Sequence, residues 1–322
     1  MTSGESSLRS ADRWLRGGLL PPFLAVAAPW RAPHGCAGPR PPDGRKGSGP
    51  GDSPGGWLMM TPPAAIDYHL VWFQHFHKAA GTSVIELARQ NGERFFPRHE
   101  NGNPLDDAGQ PIPLWRFSPT QLQAFVDDCE ARGVSFVATE WGVPHLECLA
   151  QDPRVRLVTC LRDPLQRFVS NYYYDLYGGH TDARSLETYP GSGPEAFCQH
   201  NYYCRMLGAD GDGAEDPGEA RFRRAQARLA LFDYCGTVEA GLERLAQAVG
   251  WQPADVRENA SDAHAGQLVK ALLKGRLRSV YYRLRFPKSP PPEAFRAEFR
   301  HRNRWDLALY AQVQGLAREA AA

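Results

Sequence analysis

The stretch YHLVWFQHFHKAAGTSVIELARQ, residues Tyr68–Gln90, decides the fold. Its apolar run, Val71 to Phe76, has the length of a buried strand, and Gly81 to Gln90 has the pattern of a helix. A lysine and small residues join the two. A strand that leads through a short loop into a helix is the unit from which α/β folds with parallel sheets are built.

The rest of the chain repeats this alternation. We predict further strands in Val134–Thr139, Arg154–Arg162 and Phe232–Glu239. Strands separated by helices predict an α/β fold with a central, mostly parallel sheet flanked by helices. The predicted helices are a segment capped by Ser118 (118–132), Leu165–Leu176, Ala240–Val249 and most of Pro292–Ala320.

Composition excludes several classes of protein. The chain has 322 residues, and its net charge of +1 argues against nucleic-acid binding driven by bulk charge. Seven scattered cysteines contain no CxxC pair, so neither a metal site nor a disulfide framework is indicated, although Cys198 and Cys204 could pair. We expect no transmembrane segment and a cytoplasmic protein; Leu19–Trp30, which follows two arginines, leaves a secretory signal open.

The first 65 residues differ from all that follow. They are dense in Gly, Pro and Ser and lack apolar periodicity, which predicts a disordered leader before a domain spanning 66–322. Met59 and Met60 lie just before the domain, so the leader could also be an over-extended reading frame.

The loop after the first strand is built to hold an anion. Ala79, Ala80 and Gly81 let backbone N–H groups approach a phosphate, and the following helix adds its positive end. Lys78 supplies a charge, while Thr82 and Ser83 supply hydroxyl donors. The glycine-first order of an ATP-binding P-loop, which ends in Lys-Ser/Thr, is absent. The alternative is an ordinary strand-to-helix turn with a solvated lysine.

A second anion site is predicted after the third strand, in TCLRDPLQRFVSNYYYDLY. Arg162 ends that strand, and Arg167 and Ser170 lie on one face of the helix that follows. Two guanidinium groups and a hydroxyl suit a terminal phosphate. The alternative is an ion pair between Asp163 and Arg167 with Ser170 at the surface.

Together, HFHKAAGTS and LRDPLQRFVSNYY resemble the two nucleotide-binding signatures of the PAPS-dependent sulfotransferases, in particular the carbohydrate type that includes the heparan sulfate O-sulfotransferases. The segments NYYCRMLG, LFDYCGTVEAGLERL and NRWDLALY also follow in the family's order, so the resemblance covers about Tyr68 to Ala317. It implies a P-loop-NTPase-like sulfotransferase fold and PAPS as the sulfate donor, without a metal. The family's usual Pro-Lys-Thr-Gly-Gly-Thr is His-Lys-Ala-Ala-Gly-Thr here.

The resemblance also implies roles for single residues. The first signature would bind the 5′-phosphosulfate, and Arg162 and Ser170 would bind the 3′-phosphate. Lys78 would stabilise the leaving group. An acceptor hydroxyl also needs a general base. We favour Glu140, at the end of the second core strand, over the other candidates, which are His75 and His77 on opposite faces of the first strand and His145 on a loop.

The acceptor is the least specified part. We predict a carbohydrate or another small molecule, with Trp115, Trp141 and Tyr172–Tyr174 as candidate cleft residues and the basic segment Arg276–Lys288 as a cover for the nucleotide or a contact for an acidic glycan. Plain packing and a solvated helix face are the alternatives for these residues. Two other functions stay open: a P-loop phosphotransferase, and a non-catalytic module that binds nucleotides or anionic glycans.

Overall fold

The computed structural model describes residues 68–193, 195–209, 218–253 and 276–319. All of them belong to one compact unit that spans Tyr68–Ala322. The predicted leader, the alternative start at Met59 or Met60 and the apolar segment Leu19–Trp30 lie outside the described residues.

A parallel four-stranded sheet forms the centre of this unit. Its spatial order is β4-β1-β5-β6, and all three neighbouring pairs are parallel, so the α/β prediction is confirmed. A two-stranded antiparallel hairpin, which the sequence did not reveal, precedes β4 in the chain. The strands are β1 (Leu70–Gln74), β2 (His99–Glu100), β3 (Asn103–Pro104), β4 (Phe136–Thr139), β5 (Val155–Leu161) and β6 (Tyr234–Thr237).

Helices connect and cover the strands. Those described are α1 (Gly81–Gln90), α2 (Pro119–Arg132), α3 (Leu146–Leu149), α4 (Pro164–Gly178), α5 (Glu195–Cys198), α6 (Tyr202–Leu207), α7 (Glu219–Leu229), α8 (Glu243–Val249), α9 (Leu277–Arg285), α10 (Glu293–Arg302) and α11 (Arg304–Glu319).

Both faces of the sheet are buried, which explains why β1 reads as one continuous apolar run. On one face, Val71 and Phe73 pack in a cluster with apolar residues of α1 and α8. On the other face, the Trp72 ring meets Phe125 of α2 edge-on, with ring centroids 5.9 Å apart. Alternation along the strand sends neighbouring side chains to opposite faces, so helices are required on both sides.

Helix boundaries follow local chemistry. Ser118 caps α2 through a capping box with Gln121, as predicted. Asp163 caps α4 by accepting the backbone N–H of Gln166 at 2.9 Å, and Pro164 occupies the first helical position. Helix α4 then packs against α10 through an aromatic cluster that includes Phe168 and Phe299, and α9 also contacts it.

Candidate active site

The carboxyl ends of β4, β1 and β5 meet at one edge of the sheet, where open α/β folds bind their ligands. Gln74 connects these ends through its side chain and its backbone carbonyl. Its amide donates to the carbonyls of Thr139 at 3.0 Å and Gly142 at 3.2 Å, and the Thr159 hydroxyl donates to its backbone carbonyl at 2.8 Å. Glu140, the loop from His75 to Gly81, and Arg162 follow directly on these three strands.

The loop before α1 holds two residues in left-handed conformation. Lys78 has φ 67° and Ala80 has φ 59°, although neither is a glycine. Gly81 is required for space, since a Cβ there would lie 2.0 Å from Nε2 of His75. No side chain caps α1 and its first turn is free of acidic residues, so its first backbone N–H groups face no competing anion of the helix itself. Ala79 is fully buried, whereas Thr82 is exposed and Ser83 half-buried.

Two histidines converge on one glutamate. Nδ1 of His77 lies 2.6 Å from Oε1 of Glu140, and Nδ1 of His75 lies 3.4 Å from Oε2 without hydrogen-bond geometry. The prediction that the two histidines point to opposite faces of a strand is therefore wrong. Residues two apart on an extended strand lie on the same face, so alternation does not separate His75 from His77; strand β1 also ends at Gln74, before either of them. The Glu140 backbone N–H donates to Oδ1 of Asn103 at 2.9 Å, which anchors the carboxylate to the hairpin.

Burial and mutual contact shift the pKa values of Glu140 and His77. Burial alone would raise the pKa of the Glu140 carboxyl, but the two imidazoles hold that pKa well below its usual range. Burial lowers the pKa of His77, with Glu140 opposing the effect. At neutral pH the pair is a carboxylate beside a neutral imidazole.

Lys78 is a cation in a poorly solvated place. Its Nζ lies 4.3 Å from the centre of the Tyr174 ring, within cation–π range. Its pKa is lowered to about 8: burial is the main cause, Arg162 and Lys288 contribute to the lowering, and Glu140 and Asp175 oppose it. A bound anion beside Nζ would stabilise the charged form of Lys78 and raise its pKa.

Hydrogen bonds fix the backbone of Arg162, but one nitrogen of its side chain has no hydrogen-bond partner. The Tyr203 hydroxyl accepts the Arg162 backbone N–H at 3.0 Å and donates to the Arg162 carbonyl at 2.9 Å. Nε of Arg162 is buried and has no hydrogen-bond partner, an arrangement that costs free energy unless a ligand supplies an acceptor. Burial, Arg283 and Arg162 all lower the pKa of Lys288, so the segment after α9 brings further positive charge to this place.

Arg167 does not share this environment. It is 2% exposed, both terminal nitrogens donate to the Phe197 carbonyl at 3.2 Å, and its guanidinium lies 4.1 Å from the centre of the Tyr202 ring. The predicted phosphate contact of Arg167 is therefore not supported by its position, because the side chain holds the interior together. The alternative ion pair with Asp163 does not form either, since Asp163 caps α4. Ser170 is half-buried on α4.

Aromatic side chains from distant segments complete the site, and sequence reasoning missed them. The His77 ring stacks on Phe197 with centroids 4.5 Å apart, and the His77 backbone N–H donates to the Tyr202 hydroxyl at 3.1 Å. Tyr202 thus fixes the loop before α1, and Tyr203 fixes the turn between β5 and α4. In the sequence, only their place in the segment NYYCRMLG pointed to Tyr202 and Tyr203. That segment supports the family resemblance but assigns no role to either residue.

The candidate acceptor residues fall into two groups. Tyr172 and Tyr173 are core residues, so their predicted place in a cleft is wrong, but Tyr174 is 49% exposed and borders His77 and Lys78. Trp115 and Trp141 are half-buried and meet edge-on at 6.4 Å. His145, the remaining candidate base, is exposed and lies 3.4 Å from Glu147, apart from the histidine pair.

Within the described ranges, no group of three or more His, Cys, Asp or Glu side chains is arranged to hold a metal ion. The six cysteines described there, which include Cys198 and Cys204, are free. No described helix has both the length and the apolarity needed to cross a membrane. No protein-family model matches the chain, and no curated protein matches it significantly.

Proposed function

We propose that this protein is a PAPS-dependent sulfotransferase that moves a sulfuryl group to an acceptor hydroxyl of a carbohydrate or another small molecule. The observation that carries the proposal is the buried, unpartnered Nε of Arg162, one strand away from the loop of Lys78. An anion with two separated phosphate groups would satisfy both positions. The resemblance of the two loops to the family's signatures supports the same nucleotide.

The residues present suit such a ligand. The first-turn backbone N–H groups of α1, with Thr82 and Ser83, would hold the 5′-phosphate, and Arg162 with Ser170 would hold the 3′-phosphate. Lys288, which lowers the pKa of Lys78 from the segment after α9, would add charge to the same anion. Arg167 has a structural role in this assignment.

PAPS supplies a sulfuryl group attached to a phosphate leaving group. Transfer of such a group depends on positioning and on neutralising the charge of the leaving oxygen. Lys78 is the cation suited to that task, because a poorly solvated ammonium group interacts strongly with a developing negative charge. The cluster of His75, His77 and Glu140 supplies the groups that can accept the proton of the acceptor hydroxyl.

A transfer screen with labelled PAPS across sugars, phenols and lipids tests the proposal directly. We expect the wild-type chain to label at least one acceptor, and Lys78→Ala to lose turnover about 100-fold or more. In calorimetry, Arg162→Ala should mainly weaken PAP binding. Arg156→Ala is the matched control, because Arg156 lies on the same strand but pairs with Asp233 away from the edge.

The two other candidate functions predict different results. A non-catalytic module would bind PAP or a sulfated oligosaccharide tightly but transfer nothing. A P-loop phosphotransferase would respond to ATP with magnesium and not to PAP alone. Either result would overturn the proposed function.

A further inference from the structure

The Glu140 carboxylate determines which nitrogen of His77 carries the proton. A carboxylate only accepts hydrogen bonds, and Oε1 of Glu140 lies 2.6 Å from Nδ1 of His77. In the neutral ring Nδ1 is therefore the donor, and Nε2 keeps a lone pair. No side chain or backbone group of the described residues hydrogen-bonds to Nε2.

Three further contacts fix the orientation of the His77 ring. Phe197 stacks on one side at 4.5 Å, and Tyr174 meets the ring at 5.5 Å from α4. The hydrogen bond to Tyr202 holds the backbone of the same residue. The side chain is still 16% exposed, and it directly precedes Lys78 in the loop. A fixed, partly accessible ring beside the leaving-group cation is well placed to meet an acceptor.

The neighbouring groups are less suited to take a proton. Both Glu140 oxygens face an imidazole, and its pKa lies well below the usual range, so the carboxylate is a weak base. His75 is 8% exposed, and its ring lies beneath Gly81, where even a Cβ would collide with it.

We propose that Nε2 of His77 accepts the acceptor's proton and that Glu140 is the positioning residue that holds the ring in the required tautomer. The inference rests on the proposed function. The acceptor oxygen bonds to sulfur as its proton moves to Nε2. The bond from sulfur to the bridging oxygen breaks, and its electron pair stays on the phosphate oxygen of PAP, beside Lys78.

The charges around His77 predict the pH dependence. Glu140 after β4 raises the pKa of His77, whereas Lys78 and His75 on its own segment lower it. Tyr174 of α4 and Tyr202 of α6 also face it, and burial keeps their pKa values above the usual range, so both are neutral. Activity requires the neutral imidazole, so it should fall as the pH drops through the pKa of His77. Removing the Glu140 charge should move this acid limb to lower pH.

The first test compares kcat/KM and its pH profile in variants, with an acceptor found in the transfer screen. We expect His77→Gln to lose about 100- to 10,000-fold, and imidazole to restore part of the activity of His77→Ala. Glu140→Gln should lose less and shift the acid limb to lower pH. His145→Gln is the matched control, because that histidine also pairs with a glutamate but lies outside the cluster. PAP affinity should stay within about threefold in every variant, which shows that the fold is retained.

The second readout does not depend on activity. Nitrogen NMR of the PAP-bound wild type should show His77 as the Nδ1–H tautomer, and Glu140→Gln should weaken that preference. An Nε2–H tautomer, or full transfer by His77→Gln while the wild type is active, would overturn the inference alone. A wild type that transfers nothing from PAPS would overturn the proposed function and this inference together.

Discussion

At the scale of single residues, the site depends on charges that the fold keeps away from water. Lys78 has a pKa of about 8, mainly because it is buried, and Arg162 and Lys288 add positive charge nearby. Burial without a fixed anion costs free energy, and proteins retain such groups where a ligand supplies the missing charge. A bound anion would therefore stabilise the charged form of Lys78.

Lys78 should react with amine reagents at a lower pH than an ordinary lysine. At pH 8 about half of its amines are neutral, compared with under about 1% for an amine with a pKa of 10.5. Acetylation followed by peptide mass spectrometry should show a rate midpoint near pH 8, with a model lysine peptide as the reference. PAP should protect Lys78 and move the midpoint upward. A midpoint above pH 10 without ligand would contradict the description of this site.

Tyr203 is a buried residue whose hydroxyl fixes the backbone of Arg162. Tyr203→Phe removes both hydrogen bonds to the Arg162 backbone and leaves a partly buried N–H unpaired, so we expect a loss of about 1–3 kcal/mol in unfolding free energy. PAP affinity should fall as well, because Arg162 loses its anchor. Tyr68→Phe is the matched control: its hydroxyl donates to the Val134 carbonyl at the opposite edge of the sheet, so stability should fall but PAP affinity should not. Equal affinity losses in both variants would argue against a specific anchor.

At the scale of elements, the loop before α1 is built with strain. The left-handed conformation costs a residue with a Cβ about 1–2 kcal/mol, and both Lys78 and Ala80 adopt it. Such strain persists where the surrounding structure over-determines it, and it is frequent in ligand-binding loops.

Ala80→Gly should therefore stabilise the protein. We expect a gain of about 0.5–1 kcal/mol in unfolding free energy, because the relief of strain exceeds the entropy that glycine loses on folding. Urea denaturation measures the difference. Ala79→Gly, one position earlier, should destabilise, because Ala79 is fully buried and has a negative φ. A loss of stability in both variants would show that the methyl group of Ala80 contributes more than its conformation costs.

Elements were predictable where local chemistry decides them. Helix α1 begins and ends where the sequence indicates, because small residues before Gly81 and polar residues after Ala88 are local signals. The positions of Glu140 and Arg162 at the carboxyl edge of the sheet were predictable because each directly follows a strand, and that of Lys78 because it lies in the loop after β1. The partners of these residues were not, since Glu140 lies 63 positions from His77 and Tyr202 lies 125 positions from it. Arg167 was misread because helical spacing shows which residues share a face, not what covers that face.

At the scale of the whole molecule, buried carboxyls connect the site to stability. Burial raises the pKa of Asp175 to about 6 and that of Asp306 also to about 6. Asp175 accepts the Tyr189 hydroxyl in the core beneath Lys78, and Asp306 accepts the backbone N–H groups of Tyr203 and Cys204 at 3.0 and 2.9 Å. Asp306 thus holds Tyr203, which in turn fixes the Arg162 backbone, and Asp175 fixes Tyr189 in the core.

These raised pKa values fix the sign of a pH dependence. The folded protein holds the Asp175 proton more tightly than the unfolded chain does, so stability falls as the pH rises from 3.8 through about 6. From pH 5 to 7.5 this amounts to about 1–2 kcal/mol. Asparagine carries no charge but still accepts the Tyr189 hydroxyl, so Asp175→Asn should gain stability relative to wild type, and gain more at pH 7.5 than at pH 5.

Urea denaturation of wild type and Asp175→Asn at both pH values measures this difference. The pH-dependent contributions of all other titratable groups are common to both proteins and cancel. Asp182→Asn is the matched control, because Asp182 is exposed and lies 3.8 Å from Arg278. Its effect should be the same at both pH values. If Asp175→Asn shows no larger gain at pH 7.5, the Asp175 carboxyl of the folded protein does not titrate between pH 5 and 7.5, which would contradict a pKa of about 6 and the burial that raises it.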